Sequence, residues 1–193
     1  MSRVVFFHGL ESAVDANLIP TGKKARFLQE HYGATLVGLD TRVAIARKAY
    51  CIANRQPWLS DTGAVEAAFS APMTNARAAI QPDTKIIVAS SFGGAVLMKL
   101  LVEDGWRGGC VFLAGAAVKL TEHRIIPAGC PSILIHGWSD DVVDAADSQL
   151  LAQSSLSWAQ HWSVNDGHRL PTVLADGTLH AAMRVIEQAL TRT

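Results

Sequence analysis

Short apolar runs rich in Val, Ile and Phe alternate along the chain with longer segments whose apolar residues recur at helical spacing. That alternation is the signature of a parallel sheet covered by helices on both faces. The runs predict strands at Val4–His8, Thr35–Leu39, Ile86–Val88, Cys110–Leu113, Ser132–His136 and Leu156–Val164. In the last of these Leu156, Trp158, Trp162 and Val164 share one face. Helices are predicted over Gly22–Tyr32, from Asp61 or Thr62 to about Ile80, over Ala95–Val102, over Asp144–Ser154 and over Thr178–Ala189. Val65, Phe69 and Met73 mark the buried face of the second, and Asp61 or Thr62 is its cap. Residues 114–130 read as a short connection, too small for a lid domain. Residues 41–60 show no clear period and carry Arg42, Arg47, Lys48, Tyr50, Arg55 and Trp58. They read as an insertion over the sheet with solvated basic side chains. The expectation is one α/β domain over residues 1–193: a three-layer α/β/α sandwich on a six-stranded, mostly parallel sheet.

Composition narrows the partners. Of the 193 residues 49% are hydrophobic and 18% charged, which suits a globular chain with a sizeable interior. Lys plus Arg and Asp plus Glu both total 17, so no basic excess exists to draw nucleic acid. Cys51, Cys110 and Cys130 form no CxxC pair, and Cys110 opens an apolar run as a buried thiol would. They predict neither a disulfide framework nor a zinc site, and they suit a reducing cytosol. The apolar run after Met1, interrupted at His8-Gly9, is too short for a signal peptide, and no run reaches membrane-spanning length. The expected location is therefore cytoplasmic, with no membrane partner. The acids and histidines show no ligand spacing, and neither a metal nor an organic cofactor is expected.

The chemistry concentrates around one stretch. Ile86-Ile87-Val88 is a buried strand, Ala95 begins a helix apolar nearly all round, and between them lies Ala89-Ser90-Ser91-Phe92-Gly93. So tight a turn strains the backbone of Ser91 and holds its oxygen clear of the sheet. In an open parallel sheet binding groups gather past the carboxyl ends of strands. Three other predicted strand ends carry such groups: His8-Gly9-Leu10-Glu11-Ser12, His136-Gly137-Trp138-Ser139-Asp140, and Asn165-Asp166-Gly167-His168. Serine, aspartate and histidine thus follow one another in the order that acyl transfer on this architecture uses. Ser90 competes with Ser91, Asp141 and Asp144 with Asp140, and His161 and His180 with His168. His8 and His136, each before a glycine, read as hydrogen-bonded structural residues.

On these motifs the sequence resembles the α/β-hydrolases, and most resembles their compact, lid-less esterase-like members whose chains begin at a strand ending in His-Gly. Ala89 stands where the family's G-x-S-x-G elbow has its first glycine, and Gly137 to Val143 matches its G-x-x-D-x-V-V pattern. The resemblance implies Ser91 as nucleophile, His168 as base and Asp140 as the acid that orients it. The backbone N–H groups of Leu10 and Phe92 would meet the oxyanion, and Glu11, Ser12 and Trp138 would line the substrate pocket. The expected activity is that of a serine hydrolase on a small or short-acyl carboxylic ester or thioester. A binding or adaptor protein that keeps the fold, or a hydrolase of amide or carbon–carbon bonds, stays open at this level.

Overall fold

The computed structural model describes residues 3–192; Met1 and Ser2, at the head of the run judged too short for a leader, lie outside the described residues, as does Thr193. Six strands form one sheet: β1 (Arg3–Phe7), β2 (Thr35–Val37), β3 (Thr84–Ser90), β4 (Gly109–Leu113), β5 (Ser132–Gly137) and β6 (Ala159–Val164). Their spatial order is β2-β1-β3-β4-β5-β6, and every neighbouring pair is parallel. The order reverses direction between β1 and β3. That switch point is where an open α/β sheet forms its crevice.

Helices α1 (Lys23–Tyr32) and α7 (Thr178–Leu190) cover one face. Helices α2 (Arg42–Asn54), α3 (Thr62–Ala79), α4 (Phe92–Val102), α5 (Ala117–Leu120) and α6 (Ala145–Ser154) contribute to the core on the other. The two-residue alternation of the strands divides the core accordingly. Ile87, Ala89, Cys110, Phe112 and Leu134 face the side covered by α2 to α6, while Ile86, Val88, Val111, Ile133 and Ile135 face α1 and α7. Both faces of the central strands are dry, which is why β3 and β4 read as continuous apolar runs.

Two expectations need correction. Residues 41–60 hold a regular helix, α2, followed by a 3-10 turn at Trp58–Ser60. The buried stripe of α2 is Ala44, Arg47 and Cys51, so a guanidinium occupies the central core-facing position and hides the period. Arg47 is not a solvated cation: its Nη2 donates to Trp58 O at 2.7 Å and tethers the turn to the helix. The second correction concerns the last strand. It begins at Ala159, leaving Leu156 (70% exposed) and Trp158 before it and outside the sheet face. Only Trp162 and Val164 of that quartet pack on the core. Between β4 and β5 the single described helix is α5, four residues long.

Candidate active site

Ser91 stands alone between the last residue of β3 and the first of α4, at φ 52° and ψ −117°. A residue with a β-carbon in such a region costs about 1–3 kcal/mol and persists only where its surroundings impose it. Here they do. The Ser91 N–H donates to Leu113 O, and Ser91 O accepts from the N–H groups of Gly94 and Ala116, each at 2.9 Å. Close packing holds the turn from below. A β-carbon on Gly93 would lie 2.5 Å from Phe7 O, so glycine lets α4 press against the end of β1. Ala89 is fully buried between Phe7 and Phe112, its register partners, and its methyl is accommodated in the sheet.

Two loops complete the arrangement. The loop after β6 brings His168 Nε2 to 2.9 Å from Ser91 Oγ, and the loop after β5 brings Asp140 Oδ2 to 2.8 Å from His168 Nδ1. A carboxylate only accepts, so Nδ1 carries the hydrogen and Nε2 is free to accept from the serine hydroxyl. The imidazole is 18% exposed and the Asp140 side chain not at all. Burial alone would push the Asp140 carboxyl up. Donation from the Val143 amide, the His168 ring and the Val142 amide outweighs it and leaves the group below the ordinary carboxylate range. Asp140 Oδ1 takes the Val142 and Val143 N–H groups at 2.8 and 2.9 Å. Together the three side chains can remove a proton from the Ser91 hydroxyl, hold it on an imidazolium and return it.

The remaining residues singled out from the sequence take varied places. Phe92 heads α4, so its amide is among the first four, which have no intrahelical partner. The loop bearing Leu10 passes close by: a β-carbon on Gly9 would sit 3.0 Å from Ser91 Cβ. Ser12 Oγ accepts the Gly9 N–H at 3.1 Å, bracing that loop from within. His8 anchors its other end, with Nδ1 2.7 Å from Gly9 O and Nε2 accepting the Leu39 N–H at 3.1 Å. Burial lowers the His8 pKa against the pull of those backbone groups, and the ring acts as a neutral strut. Glu11 is exposed and paired with Lys48, whose hydrogen bond and charge hold its carboxyl below the usual range. Trp138 is 64% exposed at the rim.

The competing residues are placed elsewhere. Asp144 caps α6 by accepting the Ala146 N–H at 2.9 Å, and Asp141 is exposed. His180 Nδ1 lies 2.6 Å from the Tyr32 hydroxyl, between α1 and α7. His161 lines a hollow of about 530 Å³ between α6 and β6, together with Gln149, Gln153 and Ser163. A second hollow, of about 350 Å³, lies along β2 and α3. Neither is lined by Ser91, Asp140 or His168.

Other residues support the three: His136 was read from the sequence as a hydrogen-bonded structural residue, whereas the roles of Asp166, Lys24 and Ser148 were not read there. Asp166 is buried, and its Oδ2 accepts from Thr172 N and Oγ1 at 3.1 and 2.7 Å, fixing the loop that carries His168. Lys24 reaches inward from α1 until its Nζ is 3.5 Å from Ser90 Oγ; burial, partly offset by Asp166, lowers it to about 8. His136 and Ser148 stand behind Asp140: His136 Nε2 is 2.9 Å from Asp140 Oδ2, and its Nδ1 is 2.7 Å from Ser148 Oγ. The four-residue step from His136 to Asp140 was visible in the sequence, but Ser148 lies on another element and gave no signal. Among the described residues no group of three or more His, Cys, Asp or Glu side chains is placed to hold a metal ion. No described helix is long and apolar enough to cross a membrane.

Comparison with known proteins places the fold. No protein-family model matches the sequence, and no curated protein matches it. Solved structures do match. A protein of Xanthomonas campestris pv. campestris described as a hydrolase of the alpha/beta superfamily is 21% identical, with TM-score 0.58 over 100% of both chains. Mouse alpha/beta hydrolase domain-containing protein 10 is 16% identical, with TM-score 0.61 over 97% of this chain and 90% of that one. An esterase from Rhodococcus is 14% identical, with TM-score 0.59 over 95% and 89%. The chain has a compact α/β-hydrolase fold.

Proposed function

We propose that this protein is a serine hydrolase that cleaves a small or short-acyl carboxylic ester or thioester through an acyl-enzyme on Ser91. The observation that carries the reading is the unbroken line of hydrogen bonds Ser91–His168–Asp140, at 2.9 and 2.8 Å, with the serine in a strained elbow. The esterases and hydrolases among the structural neighbours support it as proteins of the same fold.

In this mechanism Ser91 Oγ attacks the acyl carbonyl carbon while His168 Nε2 takes its proton. Asp140 stabilises the resulting imidazolium and keeps Nδ1 pointed at its carboxylate. The negative charge on the former carbonyl oxygen is met by the N–H groups of Leu10 and Phe92, each donor contributing roughly 3 kcal/mol. Collapse of the tetrahedral adduct breaks the bond to the leaving alkoxide or thiolate, which departs with the proton from His168. Water then attacks the acyl-enzyme by the same route in reverse roles and regenerates Ser91. Glu11, Ser12 and Trp138 are assigned to the substrate pocket, and the β4–β5 connection over residues 114–131, whose single described helix is the four-residue α5, is too little chain to build a lid over a deep acyl tunnel. That favours compact substrates.

Fluorophosphonate labelling followed by peptide mapping tests the reading, run beside an acyl-chain-length series of chromogenic esters. The expected result is one adduct on Ser91 and turnover that declines as the acyl chain lengthens. Labelling elsewhere, or full turnover in Ser91→Ala, would overturn it.

A further inference from the structure

Behind the proposed triad lies a second, buried histidine that touches the same carboxylate. His136 is the penultimate residue of β5 and is fully buried. Its Nε2 faces two acceptors, Asp140 Oδ2 at 2.9 Å and Val143 O at 3.0 Å, so that nitrogen carries a hydrogen. Its Nδ1 is 2.7 Å from Ser148 Oγ on α6, itself buried, and a neutral ring accepts the Ser148 hydroxyl there. Around Asp140 the side chains thus form a palindrome, Ser91–His168–Asp140–His136–Ser148, of which one half meets solvent and the other does not. Both imidazoles use the same oxygen, Oδ2, while Oδ1 is taken by the Val142 and Val143 amides. The four acceptor sites of the carboxylate are thereby occupied.

We infer that His136 is a positioning residue: locked in one tautomer by Ser148, it donates to Asp140 Oδ2, fixes where that oxygen lies, and limits the negative charge it presents to His168. The inference rests on the hydrolase reading for its catalytic meaning. A carboxylate oxygen shared between two donors binds each less strongly than it would bind one alone. A histidine base that held its proton too firmly would return it slowly to the leaving group, so a shared oxygen keeps His168 poised for both steps. The other titratable groups near the ring are Asp147, close to the start of α6, with Asp144, Lys119 and Arg124 about it, and His161 on β6. None of these is hydrogen-bonded to the His136 ring.

The test compares His136→Met, which removes the donor, His136→Gln, whose amide N–H can reach the same oxygen, and Ser148→Ala, which frees the tautomer. The primary readout is the NMR titration of the His168 imidazole, assigned by its loss in His168→Gln, and needs no turnover. In His136→Met the His168 midpoint is expected to rise by about half a unit to one unit, a roughly three- to tenfold firmer hold on the proton. The acid limb of kcat/KM should move up with it. His136→Gln should restore both, and Ser148→Ala should move them in the same direction by less. An unmoved midpoint in a folded His136→Met protein overturns the inference. If His136→Met does not fold, Ser148→Ala decides: movement supports the inference and no movement overturns it. A wild-type protein that turns over no ester, yet shows the midpoint moving among these variants, separates failure of the hydrolase reading from failure of this one.

Discussion

The turn that carries Ser91 and the rim that surrounds it differ in almost every physical respect. At the turn both backbone groups of Ser91 are tied, its neighbours Ala89 and Phe92 are buried, and a β-carbon on Gly93 is excluded by 2.5 Å from a carbonyl oxygen. At the rim Trp138 is largely exposed, Glu11 and Lys48 form a solvent-facing pair, and Arg169 stands exposed beside His168. A solvent-facing ion pair of this kind contributes little stability. On the proposed reading, chemistry falls to the part of the molecule held from every side, and selection of substrate to the exposed part. The elbow is over-determined and the rim is under-determined.

Substitutions of graded severity should widen or close that contrast. Ser91→Ala is expected to lower turnover by about four to six orders of magnitude, and adding His168→Ala should cost little more, since the three groups act as a unit. Chromogenic ester hydrolysis measures both, and nearly additive losses would break the idea of a single machine. Next in size is Gly93→Ala, where the new methyl meets backbone rather than a flexible side chain. It should destabilise by roughly 3 kcal/mol, read by urea unfolding.

Lys24→Met should act in the opposite direction. The folded-state value of about 8 lies below the ordinary 10.5, so the unfolded chain holds more protons between those values and stability rises with pH across that window. Removing the amino group should stabilise by about 1–3 kcal/mol at neutral pH, with partial exposure allowed for. It should also flatten the alkaline rise in a pH series of urea midpoints. Smallest is Trp138→Ala. Its stability should stay within about 0.5 kcal/mol of wild type while KM rises with kcat nearly unchanged. A kcat loss as large as that of an elbow variant would show that the rim is part of the machinery.

How far the sequence alone could lead follows the same division. The elbow was legible because Ile86 to Ala89 and, but for Lys99, Ala95 to Leu101 are apolar throughout, and only one short turn joins them. Asp140 and His168 were legible from strand-end position and chain order, although only the folded loops bring them to hydrogen-bonding distance. Helix α2 was not legible, because Arg47 is buried by a hydrogen bond to Trp58 O that no hydropathy pattern encodes. Leu156 and Trp158 matched the strand alternation yet sit before β6, since alternation reports a face only where a ladder exists to impose it. The bracing around Asp140 was half legible: His136 lay close in sequence, whereas Ser148 becomes its partner only when α6 packs on β5.

The position of β6 in the sheet has one more consequence. It is an edge strand, hydrogen-bonded to β5 on one side and to no described strand on the other, and the loop that follows it delivers His168. Edge elements open at lower free energy than central ones. A transient detachment of this margin would carry the imidazole away from Ser91 while β3, β4 and the elbow stayed in place. Turnover would then be extinguished at a gentler dose of denaturant than the ordered interior needs, which makes the catalytic rate a gauge of how firmly the sheet's outermost ribbon is fastened.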